Sequence, residues 1–139
     1  MSGQVDYEVK DGVAHVTFNR PEARNAMTWA MYDGLARACE AIVSDNAVRV
    51  ALLRGAGGAF VAGTDIQQFT AFEGGKDGLA YEKRIEASID QIERVGKPMV
   101  AVIDGFATGG GLIIAASCDF RLATPDARFG VPIARTLGN

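Results

Sequence analysis

Two glycine-rich segments, each placed directly after an apolar stretch, constrain this chain more than any other feature. The first, Gly55–Gly63, follows Val48–Leu53, and the second, Gly105–Gly111, follows Met99–Asp104. Almost continuous apolarity is typical of a strand that is buried on both faces of a sheet. Glycine lets the backbone adopt unusual φ and ψ values and approach a ligand closely. The pattern therefore predicts two loops that present backbone N–H groups at the ends of buried strands.

Strand-like and helix-like stretches alternate along the rest of the chain, which favours an α/β architecture. Val5–Lys10 and Val13–Asn19 alternate in polarity, and Asp11-Gly12 between them predicts a hairpin. Thr28 is placed to cap a helix that runs to about Ser44. The other predicted features are an inward face of that helix at Met31, Leu35, Ala38 and Ile42, a helix from about Asp77 to Val95 with Ile85, Ile89 and Ile92 inward, a short and fully buried helix at Leu112–Ser117, and strands at Asp119–Ala123 and Ala127–Phe129.

Length and composition limit the class of protein. A chain of 139 residues that is 48% hydrophobic and 22% charged can bury one core, so we expect a single domain over residues 1–139. A net charge of −3 argues against non-specific binding to nucleic acid. Cys39 and Cys118 lie in apolar surroundings, which predicts buried thiols rather than a disulfide. We expect no membrane segment, no secretory signal and a cytoplasmic location.

Three interpretations of the two glycine segments can be compared. A dinucleotide site is disfavoured because Phe60 stands where the third fingerprint glycine belongs, and neither segment ends like a phosphate-binding loop. Glycines that only permit tight packing are a second interpretation. The third is an oxyanion hole, in which each loop contributes one N–H group to a developing negative charge, next to the positive end of the following helix. From the residues alone, the last two interpretations both stay open.

Four motifs in this order resemble the crotonase (enoyl-CoA hydratase/isomerase) superfamily. They are Asn19–Met27, similar to its early CoA-binding segment, Phe60–Ile66 and Asp104–Gly111, similar to its two oxyanion loops, and Phe129–Pro132, similar to the strand end that follows. The resemblance implies an α/β fold, a crotonase-like spiral of repeated ββα units. It covers about the first half of a typical member, so we expect a truncated core domain that lacks the C-terminal helical region.

The resemblance also implies the residues of the site. The thioester carbonyl of the superfamily accepts two backbone N–H bonds, and the matching positions are Thr64 and Gly110, the implied catalytic residues. Arg24 would lie near the phosphate or ribose of CoA or be a solvated surface charge, and Asp65 would contact the ligand or cap a helix. The residues implied to line the bound CoA are Ala23, Arg24, Ala26, Ala62, Gly63, Thr64, Asp65, Ile66, Gln67 and Gly110.

The chain departs from the superfamily at the positions of its proton-transferring groups. Hydratases of this family carry a glutamate two residues after the second oxyanion loop and another after the Phe-Gly-x-Pro segment, and those positions hold Ile113 and Ile133. Isoleucine can neither orient a water molecule nor deliver a proton. Glu82 or Glu86, on the predicted long helix, is an alternative base, although both fit a solvated helix face.

The remaining polar residues suggest no further chemistry. We expect structural roles for His15, in the hairpin, and for Asp119, at a helix–strand junction. The spacing of Cys, His and Asp indicates no metal site, and no separate cofactor is implied, because CoA enters as part of the substrate. The resemblance thus implies an acyl-CoA-processing enzyme of the enoyl-CoA hydratase/isomerase type, a homo-oligomer with no nucleic-acid or membrane partner. The alternative is a catalytically silent CoA-binding or assembly member of the same fold.

Overall fold

The structure is a computed structural model that describes residues 3–132. In this part of the chain, strands and helices follow one another in a regular order. Two short 3-10 turns, Pro21–Ala23 and Ile66–Ala71, lie between them. The strands and helices are β1 (Gln4–Lys10), β2 (Val13–Asn19), α1 (Trp29–Ser44), β3 (Val50–Gly55), β4 (Val61–Ala62), α2 (Gly75–Glu93), β5 (Met99–Ile103), β6 (Phe106–Thr108), α3 (Gly110–Ser117), β7 (Phe120–Ala123) and β8 (Arg128–Gly130).

A strand–strand–helix unit repeats along the chain and builds two sheets. The larger sheet has the order β1-β2-β3-β5-β7, and the smaller has the order β4-β6-β8. From β3 onwards, the first strand of each unit joins the larger sheet and the second joins the smaller one, always in parallel. This arrangement confirms the predicted α/β fold of repeated ββα units.

The first hairpin and the first helix form as their sequences predict. Asp11 and Gly12 both have positive φ, 52° and 78°, and the turn pairs Lys10 with Val13. Positive φ at both central residues matches the right-handed twist of the strands that they join. Thr28 caps α1, because its side chain accepts a hydrogen bond from Met31 N–H at 3.2 Å.

The core is one cluster of buried side chains to which α1, both sheets and α3 contribute. The predicted inward residues of α1 are all buried, as are both cysteines, which are free thiols; these predictions are confirmed. On α2 the residues predicted to face inward are covered to different degrees: Ile92 is buried, Ile85 is half-buried and packs against the core, and Ile89 is half-buried.

The prediction of a fully buried third helix was wrong. α3 begins two residues earlier than predicted, at Gly110, and only some of its residues are buried. Gly111, Ile114 and Ala115 face β4, β6 and α2, whereas Ala116 is exposed. An apolar composition all around the helix hides this asymmetry, because no polar face marks the open side.

Element ends differ from prediction where local hydrogen bonds decide them. The strand predicted at Val48–Leu53 runs from Val50 to Gly55, since Val48 N–H donates to Asp45 O in the preceding turn. The long helix ends at Glu93 rather than Val95, whose N–H donates to Ile92 O in a tighter turn.

The last two strands are each one residue away from their predicted bounds. β7 begins after Asp119, whose N–H donates to Met99 O while its carboxylate accepts from Met99 N–H, both at 2.8 Å. The structural role predicted for Asp119 is thereby confirmed. β8 covers Arg128–Gly130 instead of Ala127–Phe129. No helix within residues 3–132 is long and apolar enough to cross a membrane.

Candidate active site

Strands β4 and β6 bring the two glycine segments into contact. These short strands, which periodicity does not predict, pair Val61 with Ala107 and Ala62 with Thr108. Beyond the pairs come Gly63 and Gly109, with φ of +84° and +53°. A Cβ placed on Gly109 would lie 3.6 Å from the Gly63 Cα atom. Glycine is favoured at both positions because L side chains rarely adopt such φ values.

The backbone N–H group of Thr64 points away from Met27 and lies near the second glycine segment. Thr64 forms an isolated parallel bridge with Met27, in which Met27 N–H donates to Gly63 O and Asp65 N–H donates to Met27 O. Because backbone groups alternate in direction along an extended segment, Thr64 N–H is directed away from Met27. A Cβ on Gly110 would lie 3.8 Å from Thr64 N. The two residues with predicted oxyanion roles are therefore neighbours.

Gly110 is the first residue of α3, so its N–H has no acceptor within that helix. The first bond of the helix runs from Ile113 N–H to Gly109 O, at 3.2 Å. The helix is pressed closely onto β4, since a Cβ on Gly111 would lie 1.9 Å from the Val61 carbonyl oxygen. Two N–H groups held by the backbone beside a helix N-terminus can stabilise a negatively charged oxygen. Whether Thr64 and Gly110 do so stays a prediction.

Asn25 ties the early motif to the first glycine segment. It is fully buried with φ of +59°, and its side-chain amide donates to the carbonyl oxygens of Ala56, Ala59 and Phe60 at 2.9, 2.9 and 3.2 Å. Its amide oxygen accepts from Arg20 N–H at 2.8 Å. One side chain thus holds the backbone of both segments. The prediction did not include Asn25 among the site residues, although it stands inside the motif.

A buried ion pair joins the early motif to Asp65, two residues after the first glycine segment. Arg20 Nη2 lies 2.7 Å from Asp65 Oδ2, with both side chains about one-tenth exposed. Asp65 also accepts from Gln67 N–H at 2.9 Å and so caps the 3-10 turn that follows. Burial raises the pKa of Asp65, but the Gln67 hydrogen bond and Arg20 outweigh it, and the pKa is lowered overall. Of the two predicted roles for Asp65, the structure shows the cap.

The residues predicted to line CoA come from adjacent backbone segments. Ala62 N–H donates to Arg24 O at 3.0 Å, and the Met27–Thr64 bridge extends the contact. Arg24 is exposed, with its guanidinium 4.9 Å from the centre of the Phe106 ring. The other predicted residues differ in exposure: Ala23, Ala26, Ala62, Gly63, Thr64 and Gly110 are half-buried, Asp65 is buried, and Ile66 and Gln67 are exposed.

Two tyrosine hydroxyls converge on the Thr64 side chain, and neither was among the site residues predicted from the sequence. Tyr32 Oη lies 2.8 Å from Thr64 Oγ1, and Tyr81 Oη donates to the same atom at 3.3 Å. A Cβ on Gly110 would lie 2.9 Å from Tyr32 Oη. Nothing in the local sequence signals this, because Tyr32 stands on α1, Thr64 directly follows the first glycine segment, and Tyr81 stands on α2.

These tyrosines belong to an aromatic cluster next to Thr64. Its members are Trp29, Tyr32, Phe69, Phe72 and Tyr81. The Tyr81 ring lies edge-on to Phe69, with ring centres 4.9 Å apart, and 5.6 Å from Trp29. Such contacts restrict the ring and therefore the position of its hydroxyl.

The two glutamates that the sequence offers as alternative bases make no hydrogen bond with the hydroxyl groups of Tyr32, Thr64 and Tyr81. Glu82 and Glu86 are exposed on α2. Ile113 is half-buried on α3, and Ile133 lies outside the described residues. His15 is half-buried on β2, opposite Glu8 on β1. Within residues 3–132, no group of three or more His, Cys, Asp or Glu side chains is arranged to hold a metal ion.

The chain matches a family model and is similar to known proteins. Residues 8–138 match the family model described as enoyl-CoA hydratase/isomerase. The chain is 41% identical to the short-chain-enoyl-CoA hydratase of Clostridium acetobutylicum over 128 residues, which are 88% of this chain and 48% of that protein. It is 34% identical to a probable enoyl-CoA hydratase of Bacillus subtilis, with 92% of this chain and 49% of that one covered.

Solved structures of proteins with similar names also resemble this chain. An enoyl-CoA hydratase/carnithine racemase from Magnetospirillum magneticum is 37% identical and superposes with a TM-score of 0.90 over 94% of this chain and 50% of its own. The chain therefore spans about half the length of the relatives that it matches. Since the family model covers nearly all of its residues, the chain belongs to the enoyl-CoA hydratase/isomerase family, the crotonase superfamily.

Proposed function

We propose that this chain binds an acyl-CoA thioester and stabilises its enolate between the backbone N–H groups of Thr64 and Gly110. The chemistry is that of an enoyl-CoA hydratase or isomerase. The observation that carries the proposal is the convergence of the two glycine segments, which brings Gly110, at the start of α3, beside Thr64 N. Donors fixed by the backbone need no reorganisation as charge develops, and removing one such donor costs about 3–4 kcal/mol in known enzymes.

The surroundings of the early motif support CoA as the handle of the substrate. Ala23, Arg24 and Ala26 lie beside the strand that carries Ala62 and the residues after it. Arg24 is exposed, and its backbone is in the left-handed region. Because the side chain is accessible to solvent, its guanidinium can bind a phosphate group of CoA. Arg24→Met should weaken the binding of a CoA thioester, whereas Arg37→Met, at an exposed position of α1, should not. Isothermal titration at low ionic strength measures both.

A second candidate function is a catalytically silent CoA-binding or assembly member. It is favoured by one observation, that Ile113 stands on α3 where hydratases of the family carry a glutamate. The substrate in either case is an acyl-CoA thioester, with no separate cofactor. We further propose a cytoplasmic homo-oligomer. Phe120, Leu122, Phe129 and Val131 are more than half exposed at one end of the two sheets, and association would cover them.

The deciding experiment is to incubate the 139-residue chain with a short trans-2-enoyl-CoA in deuterated water and to weigh the product by mass spectrometry. Addition of water with deuterium at Cα would support a hydratase. Deuterium at carbon without added water would support an isomerase. A thioester that binds but is returned unchanged would support the silent member, and a thioester that does not bind would overturn both candidates.

A further inference from the structure

Three hydroxyl groups meet at a point that the proposed oxyanion hole does not use. Thr64 Oγ1 lies 2.8 Å from Tyr32 Oη and 3.3 Å from Tyr81 Oη. A Cβ on Gly110 would lie 3.1 Å from Thr64 Oγ1, so the group borders the residue with the second predicted N–H donor. Thr64 carries both features, its backbone N–H for the oxyanion and its hydroxyl for the tyrosines.

The two tyrosines differ in what their surroundings allow. Tyr32 is 3% exposed. Burial raises its pKa well above the ordinary value, and the hydrogen bond with Thr64 only partly opposes this. A phenolate at Tyr32 would therefore be costly, so this residue stays protonated. Its short hydrogen bond fixes the Thr64 hydroxyl in place.

Tyr81 is better placed to act on a ligand. It is half-buried, so part of its side chain is accessible, whereas Tyr32 is almost fully covered. Trp29 and Phe69 hold its ring, and its hydrogen bond to Thr64 sets the direction of Oη. Among the described residues, Tyr32 and Tyr81 are the titratable side chains that hydrogen-bond to Thr64.

We propose that Tyr81 transfers the proton to Cα of the bound thioester, and that Tyr32 and Thr64 position it. This rests on the proposed function and supplies the group that Ile113 does not. When water adds to Cβ, the electron pair of the double bond moves to Cα and the carbonyl oxygen, where the two N–H groups hold the enolate. Tyr81 Oη gives its proton to Cα, and the C=O bond re-forms. The phenolate then takes a proton from the water that has bonded to Cβ, which leaves a hydroxyl there and a neutral Tyr81.

The test is the rate of deuterium uptake at Cα from deuterated water with a short trans-2-enoyl-CoA. We expect Tyr81→Phe to lower kcat by at least about 100-fold, the lower end of the effect of a general acid, with KM little changed. Tyr32→Phe should lower kcat by a smaller factor. Tyr7→Phe, at the remaining tyrosine, which is exposed on β1, is the matched control and should match the wild type.

The outcomes separate this assignment from the proposed function. If the wild type takes up deuterium and Tyr81→Phe does so at a similar rate, or if Tyr32→Phe is the more damaging change, the assignment is overturned and the proposed function stands. A wild type without any deuterium uptake overturns both. Circular dichroism melting checks that Tyr81→Phe is folded. If it is not, Thr64→Val takes its place, because it keeps the backbone N–H and removes the hydroxyl. A lower kcat at constant KM supports the proposal, and an unchanged kcat overturns it.

Discussion

Arg20 and Asp65 form an ion pair of 2.7 Å that links the segment before α1 to the residue after Thr64. Both side chains are about nine-tenths buried, and Arg20 also donates to Ala26 O at 3.0 Å. The pair therefore connects the two backbone segments that are proposed to line CoA.

Asp65→Asn should destabilise the fold strongly. Asparagine can still cap the 3-10 turn, so the change mainly leaves the Arg20 charge buried and unpaired, which costs about 3 kcal/mol or more. The free energy of unfolding in urea measures the loss. Asp33→Asn is the control, because it breaks an ion pair with Arg84 that is far more exposed and should cost less than about 1 kcal/mol. Equal losses in the two variants would contradict the prediction.

The contribution of Asp65 should disappear in acid. Its pKa is lowered in the folded chain, so the stabilisation is fully present above the pKa of the unfolded state, about 3.9, and is lost as the pH falls through the folded pKa. The difference in unfolding free energy between the wild type and Asp65→Asn should thus be constant at neutral pH and shrink below about pH 4. A difference that does not shrink between about pH 4 and pH 2 would sink this idea.

Asn25→Ala should be among the most damaging single substitutions. It removes hydrogen bonds to three carbonyl groups, two of them buried, and leaves alanine at φ of +59°. We expect a loss of about 3 kcal/mol or more. Asn25→Gly separates the two causes, since glycine tolerates that φ but makes no side-chain hydrogen bonds. If Asn25→Gly were as stable as the wild type, the hydrogen bonds would contribute nothing.

Two glycine-to-alanine changes should have opposite effects on stability. In Gly111→Ala the new Cβ would meet the Val61 carbonyl oxygen at 1.9 Å, and backbone must move, so we expect a loss of about 3 kcal/mol. In Gly78→Ala, inside α2, the Cβ meets nothing within 4 Å. Alanine there should stabilise the chain by about 0.5–1 kcal/mol. Thermal melts of both variants provide the comparison.

Both thiols should be unreactive in the folded chain. Burial, as the main cause, raises the pKa of Cys39 to about 11 and that of Cys118 to about 12. The thiolate is the reacting species, so at pH 8 neither should be labelled by a thiol-disulfide reagent until the chain unfolds. Labelling with and without urea counts the reactive thiols. Rapid labelling in the absence of urea would show that one of them is accessible.

The elements that the sequence predicted well are those whose signal is local. The Asp11-Gly12 turn, the Thr28 cap and the apolar face of α1 each depend on residues a few positions apart, because turn chemistry and helical periodicity act within one element. The motifs that resemble the family are likewise runs of adjacent residues, so they can be recognised in the sequence alone. Where local spacing carried no polar contrast, as in α3, the predicted burial was wrong.

What the tertiary structure decided is which distant residues meet. The sequence by itself determined the α/β class. Its resemblance to the family also gave the repeated strand–strand–helix order and the candidate pair Thr64 and Gly110. The joining of that pair depends on β4 and β6, strands of two and three residues that are too short for any periodicity to show. The meeting of Tyr32 and Tyr81 at Thr64 depends on how α1 and α2 pack, because long-range contacts arise from packing and leave no mark on neighbouring residues.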